Sequence, residues 1–514
     1  MRSIITLVLI ALPFAMYGGQ KKPNIIVILA DDLGYADLSC QGCEDIPTPH
    51  IDSIAESGIR FTNGYANHPV CSPSRAGLLT GRYQHRFGFE NNSGPERFAP
   101  ANFGVPRSEK LMSERLKVAG YATGMMGKWH IGFKEGLRPW ERGFDTTYVF
   151  LSGARSFWPP KDQRNPTYLN GKVIEDETEY LTDAFARESE KFIDTNKNKP
   201  FFLYLSFNAV HAPLEASDKY QQRFPDIEDP DRKTYAGMLS AMDDAVGRVL
   251  DRLKKHDLVE DTLVFFYSDN GGPTAQTTSR NDPLRGYKGT RWEGGIRVPF
   301  MVQWPGTLPK GKVYEEMVMG FDVNATSLVA AGIKLPTDKP LDGVDLLPYL
   351  TGKNKGKPHS KLFWRSGEDR YAARVGDWKI VSERGYGVEL FNLKEDIAES
   401  NNLAMANPEK LEMLQKAYKE WSGQMMKPQW IRQDSTNAEI GGKLKENPQP
   451  TRTSEQRQQI LRQRFKEFDK DNSGKLTIDE FENKELFKQF DRNNNGFVTF
   501  KEVSEYYARR RAGR

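Results

Sequence analysis

The chain has 514 residues, with 73 Lys+Arg against 69 Asp+Glu, a formal net charge of +4, 38% hydrophobic residues and only three cysteines. That length supports two or three domains with substantial cores. The near balance of charge gives no bulk signature of nucleic-acid binding, and three cysteines exclude a disulfide-held scaffold.

Residues 1–20 read as a secretory signal, with Arg2 as the positive start, an apolar stretch over residues 4–15, and Gly18 and Gly19 near the cleavage region. The apolar run is too short for a membrane span. An exported protein, periplasmic or extracellular and without a transmembrane anchor, is expected.

Residues 23–30 (Pro-Asn-Ile-Ile-Val-Ile-Leu-Ala) form a continuous β-branched run of the kind buried on both faces of a parallel sheet. The run ends in Asp31-Asp32. Adjacent carboxylates there repel unless a cation or arginines sit between them, and in open α/β sheets ligands bind outside the carboxyl ends of the strands. Cys40-Gln41-Gly42-Cys43 has redox or metal spacing but too few ligands for zinc. It reads as incidental or as one local disulfide, which leaves Cys71 as the odd thiol.

Cys71-Ser72-Pro73-Ser74-Arg75 starts a helix, with Pro in the first turn and serines as caps, so Cys71 stands at an anion site. Ala76, Leu78 and Leu79 supply its apolar residues and Gly81 its end. An isolated cysteine is by default a small buried apolar residue. Its company argues otherwise.

Ser108 is expected to cap a helix containing Leu111, Met112 and Leu116 that stops at Gly120. A strand over 121–126 then runs into Gly127-Lys128-Trp129-His130. Strands over 201–207 and 262–267 are followed by His211-Ala212-Pro213 and by Ser268-Asp269-Asn270-Gly271-Gly272. Four buried strands thus deliver metal-binding or acid/base side chains at their C-terminal ends. Between them Leu239, Met242, Val246, Val249, Leu250 and Leu253 recur at helical spacing, with Asp243, Asp244, Arg248, Asp251 and Arg252 expected to face away. Strands alternating with helices predict an α/β fold with a largely parallel central sheet flanked by helices, over residues 21–355.

From Lys361 the pattern changes to short strands over 371–375, 378–382 and 388–392, with Gly376-Asp377 and Gly385-Tyr386-Gly387 as turns and a covering helix over 408–421. This predicts a small antiparallel subdomain at 356–423. Residues 424–455, polar and poor in apolar residues, read as a linker. Two matching segments follow. Asp469, Asp471, Ser473, Thr477 and Glu480, and Asp491, Asn493, Asn495, Thr499 and Glu502, occupy positions 1, 3, 5, 9 and 12 of calcium-wrapping loops, with glycine at position 6 and Lys475 and Phe497 at position 7, which offers its backbone carbonyl. An EF-hand pair over 456–508 is expected, then a basic tail at 509–514.

The Cys71-to-Arg75 signature, with Asp31-Asp32, residues 127–130, 211–213, 269–270 and Gly286-Tyr287-Lys288-Gly289 in order, resembles the formylglycine-dependent type I sulfatases of the alkaline phosphatase superfamily, in the branch of arylsulfatase A and the galactosamine-6-sulfatases. Gly376-Asp377-Trp378-Lys379 and Glu389-Leu390-Phe391-Asn392 look like that family's C-terminal subdomain. The resemblance implies that a maturation enzyme oxidises Cys71 to Cα-formylglycine and that Asp31, Asp32, Asp269, Asn270 and modified Cys71 bind one calcium ion. It further implies that Arg75 holds the diol, that Lys128 and Lys288 bind sulfate oxygens, that His211 lies near the leaving oxygen, and that His130 is the base that later expels sulfate. A geminal diol suits this chemistry, because one hydroxyl attacks sulfur while loss of the other's proton regenerates the aldehyde.

The implied function is hydrolysis of sulfate esters, most readily of a sulfated carbohydrate. A formylglycine-dependent phosphonate or phosphate monoester hydrolase, and a calcium-dependent glycan-binding protein with unconverted Cys71, are the alternatives. The loops 87–107 and 151–169 would set substrate choice, with Trp140, Phe157 and Trp158 as candidate stacking residues.

Overall fold

The computed structural model describes residues 22–92, 99–159 and 165–430 and, beyond them, 462, 465, 466, 469–471, 473–480, 487, 488, 490, 491 and 493–504. The expected signal segment, most of the expected linker and the basic tail lie outside the described residues. The chain divides into two compact units, 1–433 and 434–514.

The larger unit is built on a ten-stranded sheet. At its centre lies Asn24–Ala30, paired in parallel with Phe201–Ser206 on one side and Thr262–Ser268 on the other. Ala122–Lys128 adds in parallel beyond Phe201–Ser206, and Thr146–Phe150 beyond that. The five strands therefore end at one edge of the sheet. Antiparallel pairing appears only toward the margins, where Phe300–Gln303 joins Thr262–Ser268 and Tyr168–Leu169 joins Thr146–Phe150.

Unbroken apolar runs follow from burial on both faces. Ile26 and Ile28 pack into one core with Leu239, Met242, Val246 and Val249 of the helix Pro230–Lys255. Ile25, Val27 and Leu29 pack into the other with Ala76, Leu78 and Leu79 of Cys71–Thr80. The result is a helix–sheet–helix sandwich with the strand ends left open to chemistry.

Several local expectations need correction. Ser108 caps nothing; the helix runs Met112–Val118, and the Glu114 carboxylate accepts from the Leu111 backbone N–H at 2.7 Å. A carboxylate on the first turn does this better than a hydroxyl three residues outside it. Asp243 does not face away. It is 3% exposed and accepts from the backbone N–H groups of His50 (3.3 Å) and Ile51 (2.8 Å) at the start of the helix Pro49–Glu56, supplying partners that a helix N-terminus lacks. The serines after Cys71 do not cap its helix, whose N-cap is Val70. Cys40 and Cys43 are free thiols; Cys43 Sγ donates to Asp45 Oδ1 at 3.2 Å.

The C-terminal part of this unit is a four-stranded antiparallel sheet, Lys361–Ser366, Arg370–Val375, Trp378–Glu383 and Gly387–Asn392, covered by the helix Pro408–Ser422. Its central Lys379 is wholly buried, with Nζ 2.7 Å from Glu293 Oε1 and 2.8 Å from Glu399 Oε1.

Residues 424–430, read by composition as the start of a linker, are instead fastened to the unit. Met426 N–H donates to His85 O (3.0 Å), Gln429 N–H donates to Gly88 O (2.7 Å), and Arg365 Nη2 donates to Met426 O (2.6 Å). The Trp430 ring packs on Phe89 and Phe103 at 5.3 and 5.4 Å. Backbone pairing of this kind leaves no trace in a polar composition.

Within the second unit, Lys475–Leu476 and Val498–Thr499 pair antiparallel, bringing the two loops side by side over buried Leu476 and Val498. Asp469 accepts from the N–H groups of Ser473 and Gly474, and Asp491 from those of Asn495 and Gly496. Glu480 and Glu502 accept from the N–H and hydroxyl of Thr477 and Thr499. Both loops therefore turn their oxygens inward.

Candidate active site

Four of the five parallel strand ends contribute to one buried cluster. Asp31 and Asp32 follow Asn24–Ala30, Lys128 closes Ala122–Lys128 with His130 two residues on, His211 lies beyond Phe201–Ser206, and Asp269 and Asn270 follow Thr262–Ser268. The helix Cys71–Thr80 aims its first turn at them. Cys71 Sγ lies 3.9 Å from Asp32 Oδ1, and Asp31, Asp32, Cys71 and His211 offer ligand atoms within 4.8 Å of one another.

The charges interlock. Arg75 reaches Asp269 Oδ2 through Nε (2.8 Å) and Nη2 (2.7 Å), with Asp31 Oδ1 at 3.5 Å from Nη2. Lys128 Nζ contacts Asp31 Oδ2 at 2.6 Å, Lys288 Nζ contacts Asp32 Oδ2 at 2.7 Å, and His211 Nε2 lies 3.6 Å from that same oxygen. Asn270 Nδ2 donates to Asp32 Oδ1 at 2.7 Å. Every catalytic and catalytic-metal position singled out in the sequence is thus in one cluster, with Asp269 held chiefly by Arg75.

Burial raises Asp31, but Lys128, His211, Arg75 and Lys288 outweigh it and hold the carboxyl far below its ordinary range. Burial opposes the charge on Lys288 too, and Asp32 more than restores it. Burial, reinforced by Lys128 and Arg75, pushes His130 well below the imidazole range, so its ring is neutral. Burial pushes the Cys71 thiol up to about 12.

The donor set fits a hard cation. Asp31 Oδ1 and Asn270 Oδ1 are buried without a hydrogen-bond partner among the described residues, and carboxylate and amide oxygens are what calcium prefers. In the second unit Asp469, Asp471 and Glu480 also converge within 4.8 Å. In the other loop Asn493 Nδ2 donates to Glu502 Oε1 at 2.8 Å.

The backbone is shaped to match. Asp32 (φ 63°) and His130 (φ 61°) adopt the left-handed conformation, which costs a non-glycine residue on the order of 1–3 kcal/mol and persists where the surroundings fix it. Gly127 is obligatory, because a Cβ there would stand 1.9 Å from Ser206 O. Gly153 is equally constrained, its added Cβ falling 2.4 Å from His130 Nε2.

The sequence reading missed three participants. Ser206 Oγ accepts from Arg75 Nη1 (2.5 Å) and donates to Lys128 O (2.8 Å). Asn92 Oδ1 accepts from the Ser72 N–H (2.9 Å), supplying the cap that the serines do not. Asn208 is 2% exposed, and among the described residues neither side-chain polar atom has a hydrogen-bond partner. Ser206 and Asn208 were signalled only as polar residues at a strand end, and Asn92 by nothing in the sequence. Of the candidate stacking residues, Phe157 is buried against Tyr180, Trp140 is half-buried against Tyr168, and Trp158 alone is 40% exposed.

A family model described as Sulfatase matches residues 23–333, more than half of the chain. The chain belongs to the sulfatase family. In this sulfatase a second model, N-sulphoglucosamine sulphohydrolase, C-terminal, matches residues 287–425, and an EF hand model matches 461–483 and 484–505.

Among curated relatives, the sulfatase is 35% identical over 397 residues to an arylsulfatase of Hemicentrotus pulcherrimus, covering 72% of this chain and 70% of that one. It is 34% identical over 398 residues to the N-acetylgalactosamine-6-sulfatase of Sus scrofa, covering 73% and 74%. Among solved structures it resembles Ps i-CgsB in complex with k-i-k-neocarrahexaose (38% identity, TM-score 0.76, 80% of this chain and 95% of that one). It also resembles the PsFucS1 sulfatase from Pseudoalteromonas sp. (28%, TM-score 0.69, 79% and 90%). The sulfatase is accordingly a sulfuric ester hydrolase with the α/β architecture expected of its sequence.

Proposed function

We propose that the chain is an exported sulfatase that removes sulfate esters from a sulfated polysaccharide, using a Cα-formylglycine made from Cys71 by a maturation enzyme and a calcium ion held by Asp31, Asp32, Asp269, Asn270 and residue 71. The observation that carries this reading is the buried start of the Cys71–Thr80 helix, enclosed by cations and carboxylates from four strand ends. The names of the relatives, which include a galactosamine sulfatase and an enzyme captured with a carrageenan oligosaccharide, support a glycan substrate. When bound, calcium supplies fixed positive charge beside the nucleophile.

The residues divide the work. Arg75 orients the hydrated residue 71 and partly neutralises the site, while Lys128 and Lys288 hold sulfate oxygens. His211 and Lys288, both against Asp32 Oδ2, meet the leaving sugar oxygen, where negative charge builds. His130 takes the proton whose loss lets residue 71 expel sulfate. Sulfate release from a panel of defined sulfated saccharides is the test. Turnover of a matched phosphate or phosphonate ester well above the sulfate ester would overturn it.

His130→Ala should slow turnover by on the order of a hundredfold or more and let a covalently sulfated chain accumulate, visible by intact mass. Weaker substrate binding with no adduct would assign His130 a different role. The tail is separable in this reading. Truncation after Gln433 should leave turnover of a small aryl sulfate within about twofold of full length, while the calcium-dependent ordering seen in full length is absent from the truncated chain. Truncation after Trp421 should cost activity, because it removes the contacts of Met426, Gln429 and Trp430. Inactivity of the folded 433-residue chain at saturating calcium would make the tail part of the catalytic unit.

A further inference from the structure

We propose that Asn208 is a further catalytic residue, its side-chain Nδ2 donating to an oxygen of the sulfuryl group in transfer and its Oδ1 accepting from the hydrated side chain of residue 71. This rests on the formylglycine reading of Cys71.

The strand fixes where the amide stands. Along Phe201–Ser206, Phe201, Leu203 and Leu205 enter one core, while Phe202 and Tyr204 enter the other. Ser206 continues the Tyr204 face and bonds Arg75. Phe207 returns to the first core, so alternation carries Asn208 to the Ser206 face, the side from which the Cys71 helix approaches.

The neighbouring strand places Leu29 level with Ser206, which brings Asp31 level with Asn208. Backbone bonds hold the two segments together there. Asp31 N–H donates to Ala209 O at 2.9 Å, and the Asn208 carbonyl itself accepts from His211 N–H at 2.9 Å. Asn208 is therefore bracketed by Asp31, the Arg75-bound Ser206 and His211.

An amide in such company has ready partners: Oδ1 accepts from ammonium or guanidinium groups, and Nδ2 donates to carboxylates. Asn208 takes none of them. At 2% exposure, neither atom has a hydrogen-bond partner among the described residues. A buried amide left open at both ends is complementary to a ligand offering one acceptor and one donor. Sulfuryl oxygens only accept, and a diol hydroxyl donates. A third lysine would serve the first but has no acceptor for the second. A neutral donor held by rigid strand ends toward developing charge is the arrangement that stabilises a transition state.

The test compares wild type, Asn208→Ala and the space-filling Asn208→Leu on a small aryl sulfate. Both variants should lower kcat on the order of a hundredfold with KM within about threefold. They should weaken orthovanadate, a five-coordinate mimic, by a similar factor, and inorganic sulfate far less. Asn208→Leu should also melt no lower than wild type, since it removes an unsatisfied buried amide. A folded variant whose kcat stays within about threefold of wild type overturns the inference, as does a loss confined to KM or accompanied by a fall in Tm of Asn208→Leu. A wild type that carries the aldehyde yet hydrolyses no sulfate ester overturns the functional reading beneath it, and this inference with it.

Discussion

Cys71→Ala is expected to lower sulfate-ester hydrolysis on the order of 10⁴-fold or more, the scale seen when a covalent nucleophile is removed, while thermal stability changes little. The expectation follows from geometry. Cys71 is 1% exposed at the first turn of its helix, and burial pushes its thiol up to about 12, so an unconverted side chain there is a protonated thiol and a poor nucleophile. Alanine removes one small atom from a site whose ion pairs, Arg75 with Asp269 and Lys128 with Asp31, stay in place. Intact mass of the peptide around residue 71 supplies the second measurement. In active wild type the sulfur should be gone and a carbonyl present. Full activity in Cys71→Ala, or active wild type with an intact thiol, would refute the mechanism.

The second large effect is on folding. Lys379→Met keeps the length and apolar stem of the side chain but leaves Glu293 and Glu399 facing one another with no ammonium between them, both fully buried. Glu293 retains the Tyr65 hydroxyl at 2.7 Å and Arg297 Nη1 at 3.2 Å. The Glu399 carboxylate retains the Glu293 N–H at 2.6 Å. Removing one partner from a buried ion pair costs about 3–5 kcal/mol, which for a unit of this size is a Tm fall of roughly 3–6 °C. Adding Glu399→Gln should recover part of the loss, because it removes a charge that no longer has a partner. A single variant that melts within a degree of wild type would show that the network contributes nothing to stability.

These two residues also mark what was legible in the sequence. Strands that are buried on both faces announce themselves as unbroken apolar runs, and the polar residues that end them stand out by contrast. That is why Asp31, Asp32, Lys128, His130, His211, Asp269 and Asn270 could be singled out without coordinates. Lys379 could be seen only as part of a motif resembling the family's C-terminal subdomain, since its reason is a pair of glutamates 86 and 20 residues away in the chain, Glu293 from across the subdomain boundary and Glu399 from within it. Asp243 was assigned to a polar face because helical periodicity says nothing about a second helix whose N-terminus arrives there. Residues 424–430 carry no apolar run, and what holds them is backbone pairing with His85 and Gly88. Asn208 was invisible because one amide beside a strand is ordinary until its surroundings leave it unpaired.

The order of strands in the large sheet has a consequence in time. Asn24–Ala30 pairs with segments that begin 177 and 238 residues later, so the floor of the site cannot form until Thr262–Ser268 has been synthesised. At roughly 5–20 residues per second, the site that buries Cys71 cannot close until about 10–40 s after this cysteine is made. In the mechanism proposed above, conversion of this cysteine is a race between an enzyme and chain elongation. A host that translates too quickly or modifies too slowly should yield a correctly folded protein whose inactive fraction cannot be repaired afterwards without unfolding it.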